Sequence, residues 1–123
     1  MLNVIRRAEL KPGASRTVRF EGQEHGSQIS FFLVDNDPGQ GPGLHVHPYT
    51  ETWIVQTGEV EFTVGAEKIR ARAGDIVVAP SGIPHKFRNI GSGRLQAVCI
   101  HASKNIVQDW VEELSVTERP GDA

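Results

Sequence analysis

The sequence has a single cysteine, so no disulfide can form within the chain; this suits a reducing compartment, and a cytoplasmic location is expected. Long apolar runs are also missing. The opening MLNVIRRAEL has no stretch of signal-peptide length, and no later segment is long enough to span a bilayer. Charge of one sign is scarce: 13 basic and 15 acidic residues leave a formal charge of -2. That balance gives no reason to expect nucleic acid or an acidic surface as a partner. No internal repeat is visible. Helical periodicity occurs once, so a two-helix DNA-reading unit is excluded.

What the chain does have is 123 residues, enough for one domain with its own core, expected to span 1–123. It has 13 glycines and 7 prolines with β-branched runs between them, which favours an all-β fold of short strands. Residues 2–9 read as an edge strand ended by Lys11-Pro12-Gly13. Residues 16–20 and 28–34 read as strands, the second covered on both faces because Phe31 and Phe32 point oppositely. Residues 51–57 and 60–64 flank the Gly58-Glu59 turn as a hairpin. Residues 68–72 form a short, charged strand, and 76–79 an apolar run of the kind a buried strand shows. A strand from His85 and a last strand over 95–101 follow. Between Lys104 and Leu114 the period changes: Ile106, Val107, Trp110, Val111 and Leu114 recur at helical spacing with Ser103 as N-cap, which predicts one amphipathic helix covering an edge or end of the fold.

The chemistry concentrates in Gly39–Gly58, GQGPGLHVHPYTETWIVQTG. His45 and His47 are two apart and on a strand would face the same way. Pro48 suits a strand end, and a turn there lets Glu51 face the two imidazoles. Two nitrogens and a carboxylate make a first shell for a divalent transition metal. An H-x-H pair alone is a weak sign, because histidines often titrate or pack without binding anything. A second stretch, GDIVVAPSGIPHKFRN over residues 74–89, adds His85, with Gly82 and Pro84 forcing a turn just before it.

Here the chain resembles the cupin family. Gly39, His45, His47, Glu51 and Gly58 fill the first family motif, G-x5-H-x-H-x3-E-x6-G, and Gly74, Pro80, Gly82, His85 and Asn89 fill the second, G-x5-P-x-G-x2-H-x3-N. The motifs and their connection cover residues 39–89; the flanks match only through strand-like patterning. The resemblance implies a small jelly-roll β-barrel in which the two motifs lie on facing parts of the wall. It implies that His45, His47, Glu51 and His85 hold one divalent transition metal, iron or manganese before nickel and zinc. Such a shell leaves positions open for a substrate. Cupins often pair through edge strands, so a homodimer is expected.

Side chains sharing the ligands' face should line the cavity. Parity from Glu51 gives Trp53 and Val55; parity from His85 gives Phe87. The result is a mostly apolar pocket with a charged centre, as small-molecule sites usually are. Cys99 and His101 share one face of the last strand. If that face is inner, His101 is a base or substrate contact; otherwise Cys99 is a packed small hydrophobe and His101 ends the strand. Tyr49 lies beside the site, at or near its mouth. His25 is expected in an exposed turn. Function divides by class: a metal-dependent enzyme, dioxygenase-like, acting on a small oxygenated organic molecule; an isomerase or lyase using His101 or Tyr49 as base; a binding or storage protein without turnover; or the sensor half of a regulator, against which the missing DNA-binding segment counts. A fold shared by many activities does not choose among them.

Overall fold

The computed structural model describes residues 2–13 and 15–113. Ten strands follow in chain order: β1 (Val18–Phe20), β2 (Ser30–Asn36), β3 (His45–Val46), β4 (Glu51–Thr57), β5 (Glu59–Val64), β6 (Glu67–Arg72), β7 (Ile76–Ala79), β8 (His85–Asn89), β9 (Leu95–His101) and β10 (Asp109–Trp110). They form two five-stranded antiparallel sheets, ordered β1-β2-β9-β4-β7 and β10-β3-β8-β5-β6. This is the all-β, small jelly-roll barrel that the motifs imply.

Alternation decides which side chains enter the barrel. On β4 the buried residues are Glu51, Trp53 and Val55; on β8 His85, Phe87 and Asn89; on β9 Leu95, Ala97, Cys99 and His101. Between the sheets, Trp53 of β4 stacks on Phe62 of β5 with ring centroids 4.3 Å apart. Phe87, Val60 and Leu95 join them in one continuous core. Burying side chains of this size stabilises by roughly 1.5–3 kcal/mol each.

Two motif residues do structural work. Gly58 turns β4 into β5 with φ +92, and a Cβ there would sit 2.5 Å from the Arg94 carbonyl oxygen. Asn89 clamps a corner: its Nδ2 donates to the Gly93 carbonyl at 2.8 Å and the Asn36 carbonyl at 3.2 Å, while its Oδ1 accepts from the Gly91 amide at 2.9 Å.

Three expectations are corrected. No strand forms over residues 2–9; the only regular element there is a short 3-10 turn at Arg7–Glu9. The run 76–79 is an edge strand, not a buried one: Ile76 is 65% and Val78 60% exposed. The helix over 104–114 is absent from its described part, 104–113, and Leu114 lies outside the described residues. That segment runs as an extended strap whose β10 pairs with β3, Trp110 opposite His45. β3 is only two residues long and offers an open edge, and edge pairing outweighs the helical spacing of Ile106, Val107 and Val111, β-branched residues that favour strands. Ser103 does accept the Asn105 amide on its Oγ, at 3.1 Å, but caps a bend.

Candidate metal centre

The two sheets bring the donors together in pairs. In one sheet His45 of β3 stands directly opposite His85 of β8. In the other, Glu51 of β4 stands opposite His101 of β9. His47, just past β3, completes the group. One ligand atom from each of His45, His47, Glu51 and His85 lies within 4.8 Å of the others, and all four residues are buried.

Each of the three imidazoles is oriented by the backbone. The Nδ1–H of His45 donates to the Gly43 carbonyl at 2.7 Å, that of His47 to the Val107 carbonyl at 2.8 Å, and that of His85 to the Ile83 carbonyl at 3.0 Å. A carbonyl only accepts, so the proton is fixed on Nδ1 and the Nε2 lone pair is left free to ligate. Those lone pairs meet a carboxylate. Glu51 Oε1 is 2.9 Å from His47 Nε2 and 3.0 Å from His85 Nε2. Lone-pair atoms this close repel one another unless a positive centre sits among them, so the donor set fits a divalent cation. Nitrogen and carboxylate donors of this mix suit iron, manganese, nickel and zinc.

The other carboxylate oxygen is held by the protein. Trp53 donates its Nε1–H to Glu51 Oε2 at 2.7 Å. His101 Nε2 lies 3.4 Å from the same oxygen. Burial alone pushes the Glu51 carboxyl upward; hydrogen bonding to its oxygens, that of His101 first, more than reverses this and holds it well below the usual carboxylate range. Burial also pushes the His45 imidazole down to about 4, so it stays a neutral donor at ordinary pH.

His101 carries the opposite tautomer. The Val107 amide donates to the Tyr49 hydroxyl at 3.1 Å, and that hydroxyl lies 2.6 Å from His101 Nδ1. The hydroxyl proton has two acceptors within reach, Nδ1 and the Val107 carbonyl at 3.3 Å; Nδ1 is much the nearer and takes it, which leaves Nε2–H on the side of Glu51 Oε2. His101 thus stands in the site as a hydrogen-bond donor, beside three histidines that offer lone pairs. It lies on the inner face of β9, where the sequence left its direction open.

A cavity of about 400 Å³ opens beside the donors, with His45, Glu51 and His101 on its wall. Phe87 lines it, as parity indicates. Trp53 and Val55 do point inward but lie behind Glu51 in the core, and the cavity wall does not include them. Phe32, Val34 and Cys99 stand on the wall in their place. Burial raises the Cys99 thiol well above its ordinary pKa, consistent with an inert packed side chain. Tyr49 is also off the wall, its hydroxyl engaged with His101. His25 is half-buried, stacked on Phe20 with centroids 4.8 Å apart, instead of exposed in its turn. The neutral polar side chains on the wall, among them Asn36 and Gln108, have no counterpart in the sequence reading, because they lie outside the fixed positions of both motifs.

A jelly-roll barrel with a buried His/His/Glu/His group defines a class: small metal-binding barrels with a ligand cavity beside the ion site. The sequence matches the cupin domain family over residues 32–101, more than half of the chain, and the chain belongs to that family. Among curated proteins it is similar to an uncharacterised protein of Streptomyces coelicolor, 33% identical over 62 residues that make up 50% of this chain and 59% of that one. It is also similar to the polyketide synthase CurC of Streptomyces cyaneus, 32% identical over 62 residues, 50% of this chain and 40% of that protein. Among solved structures, a Bacillus subtilis oxalate decarboxylase with Mn(II) centres superposes with TM-score 0.77 at 23% identity, over 85% of this chain and 30% of the other. An oxalate oxidase superposes with TM-score 0.70 at 25% identity, over 82% and 57%. Each relative is longer than the matched region, and no helix among the described residues is long and apolar enough to cross a membrane.

Proposed function

We propose that this chain is a metal-dependent enzyme that acts on a small oxygenated organic molecule by dioxygenase-like oxidation. The reading rests on one observation: His45 and Glu51, half of the donor group, form part of the wall of a largely apolar cavity. A ligand in that cavity reaches the ion site without disturbing the other two donors. A divalent ion held there supplies Lewis-acid polarisation of a coordinated substrate oxygen. The chain's own residues do the rest. The Gly43, Val107 and Ile83 carbonyls fix the imidazoles, Phe32, Val34 and Phe87 exclude water from the ligand body, and His101 presents an N–H where the ligand meets Glu51. Iron or manganese is the favoured ion, then nickel and zinc. The Mn(II) centres of the neighbouring decarboxylase make manganese the first to test. We further propose a cytoplasmic homodimer.

His101 supports a second reading. A protein group on the cavity wall, hydrogen-bonded behind to Tyr49, is what isomerase or lyase chemistry requires to move a proton on the substrate. A third reading is a carrier of metal and ligand with no turnover.

The experiment begins with metal content. About one ion per chain is expected, lost in His47→Ala and much weakened in Glu51→Gln, a group whose loss leaves the imidazoles without their counter-charge. Full occupancy in a His45→Ala/His85→Ala double variant would contradict the ligand assignment. The iron and manganese forms are then given catechols, diketones and keto acids. Oxygen uptake supports the dioxygenase; a substrate spectral change without uptake supports the isomerase or lyase; retained binding with neither supports the carrier.

A further inference from the structure

The cavity's chemistry is uneven along its length. Its inner end holds His45, Glu51 and His101. From there the inward face of β2 runs through Phe32 and Val34 to Asn36. At a rise of about 3.3 Å per strand residue, Phe32 and Asn36 are about 13 Å apart. Phe87 and Cys99 complete this apolar middle. At the far end Asn36 Oδ1 accepts from Ser15 Oγ at 3.2 Å and from Thr17 Oγ1 at 3.4 Å. Among the described residues the Asn36 Nδ2 takes no acceptor, so it offers donors to a ligand. Ser15 is held at φ +58, the one non-glycine residue with positive φ among those described. A left-handed serine is uncommon, and such conformations collect at ligand-binding positions.

The wall also has a simple charge balance. Glu51 is its single carboxylate, and no lysine or arginine lines it among the described residues. The arginines on the neighbouring strands and turns are already engaged: Arg94 pairs with Asp35, Arg16 with Asp35 and Asp37, and Arg19, opposite Phe32 in the register, with Glu21. With a divalent ion bound, the site would carry one net positive charge, enough for one anionic group. A second carboxylate would enter a buried wall that offers no cation to pair with it, which is costly.

We propose that the cavity takes an elongated, oxygen-bearing ring compound with at most one ionised group, a phenol or enolisable ketone at the ion end and a neutral hydroxyl or carbonyl at Asn36, and that it rejects dicarboxylates. This rests on the metal-dependent reading above and specifies its substrate.

The test compares two probes with one ring body: 2,6-dihydroxynaphthalene and 2,6-naphthalenedicarboxylate. Each is titrated by calorimetry into the manganese-loaded protein and, separately, into protein stripped with a chelator. The diol should bind at least tenfold more tightly than the diacid in both forms, because the charge balance disfavours the diacid with or without the ion. Gln108→Arg, which puts a cation on a half-buried wall position, should narrow that gap at least fivefold. Asn36→Leu should weaken the diol at least threefold with manganese content unchanged. Equal or tighter binding of the diacid in both forms would overturn the proposal, as would indifference of the diol to Asn36→Leu. Failure to hold manganese would sink the metal reading alone, since the order of the two probes is also read in stripped protein.

Discussion

A single side chain shows how burial prepares the donor group. His45 is buried and its imidazole is pushed down to about 4 from 6.5. As pH falls through 6.5 the unfolded chain takes up a proton that the folded chain refuses, so the metal-free protein loses stability progressively until about pH 4. A shift of that size corresponds to about 3 kcal/mol. Glu51 adds to the trend at lower pH: its carboxyl is depressed in the fold, so its contribution is present above the unfolded value and lost as pH falls. Melting curves in chelator from about pH 7 to pH 4 should slope downward, and His45→Gln should remove the upper part of that slope. At this scale the sequence was most legible. All four donors were placed by motif spacing, because side-chain parity and turn glycines act locally. Trp53 was harder. Parity put it on the inner face, but only the packing of Phe62 against it decides that it fills the core and props Glu51.

The elements that hold the donors are mostly not the strands that carry them. The loop before β3 supplies the Gly43 carbonyl to His45 and meets β8 through Asn89, whose amide donates to the Gln40 carbonyl at 2.8 Å. Within that loop a Cβ on Gly41 would lie 2.0 Å from the Phe87 carbonyl oxygen. Gly41→Ala therefore must move the loop away from β8. It should lower the melting temperature by several degrees, equivalent to about 1–3 kcal/mol, and weaken metal binding about tenfold; calorimetry and metal titration read both. Unchanged values would mean that the loop does not position His45. The strap plays the same part for His47 through Val107, whose carbonyl accepts from the Nδ1–H and whose amide donates to Tyr49. Sequence periodicity pointed to a helix there because it registers side-chain spacing and is blind to an unpaired edge elsewhere in the fold. For the same reason the strands over 51–57 and 95–101 are readable to within a residue, while 76–79 reads as an interior strand: an apolar run does not reveal which strand ends a sheet.

On the scale of the whole molecule, one sheet is apolar on its outer side as well. Across β2, β9, β4 and β7 the register aligns Leu33, Val98, Ile54 and Ile76 in one row and Phe31, Ile100, Thr52 and Val78 in the next. None of these is charged. Antiparallel sheets that face water usually alternate with polar residues on that side, and a broad apolar face is a common mark of association. A homodimer burying this face is the expected solution state, by light scattering. Ile76→Lys/Val78→Lys alters two exposed positions, costs little in folding, and should yield a monomer. A monomeric parent protein would remove the expectation.

The hydrogen bond between the Trp53 indole and Glu51 also makes the barrel its own gauge of occupancy. The chain has two tryptophans, and Trp110 can be changed to phenylalanine to leave one emitter. Loading with an open-shell ion such as manganese should then quench that emission, whereas zinc, with a filled shell, should shift its colour and leave it bright. The ion found in cells could thus be sorted by light before any substrate is known.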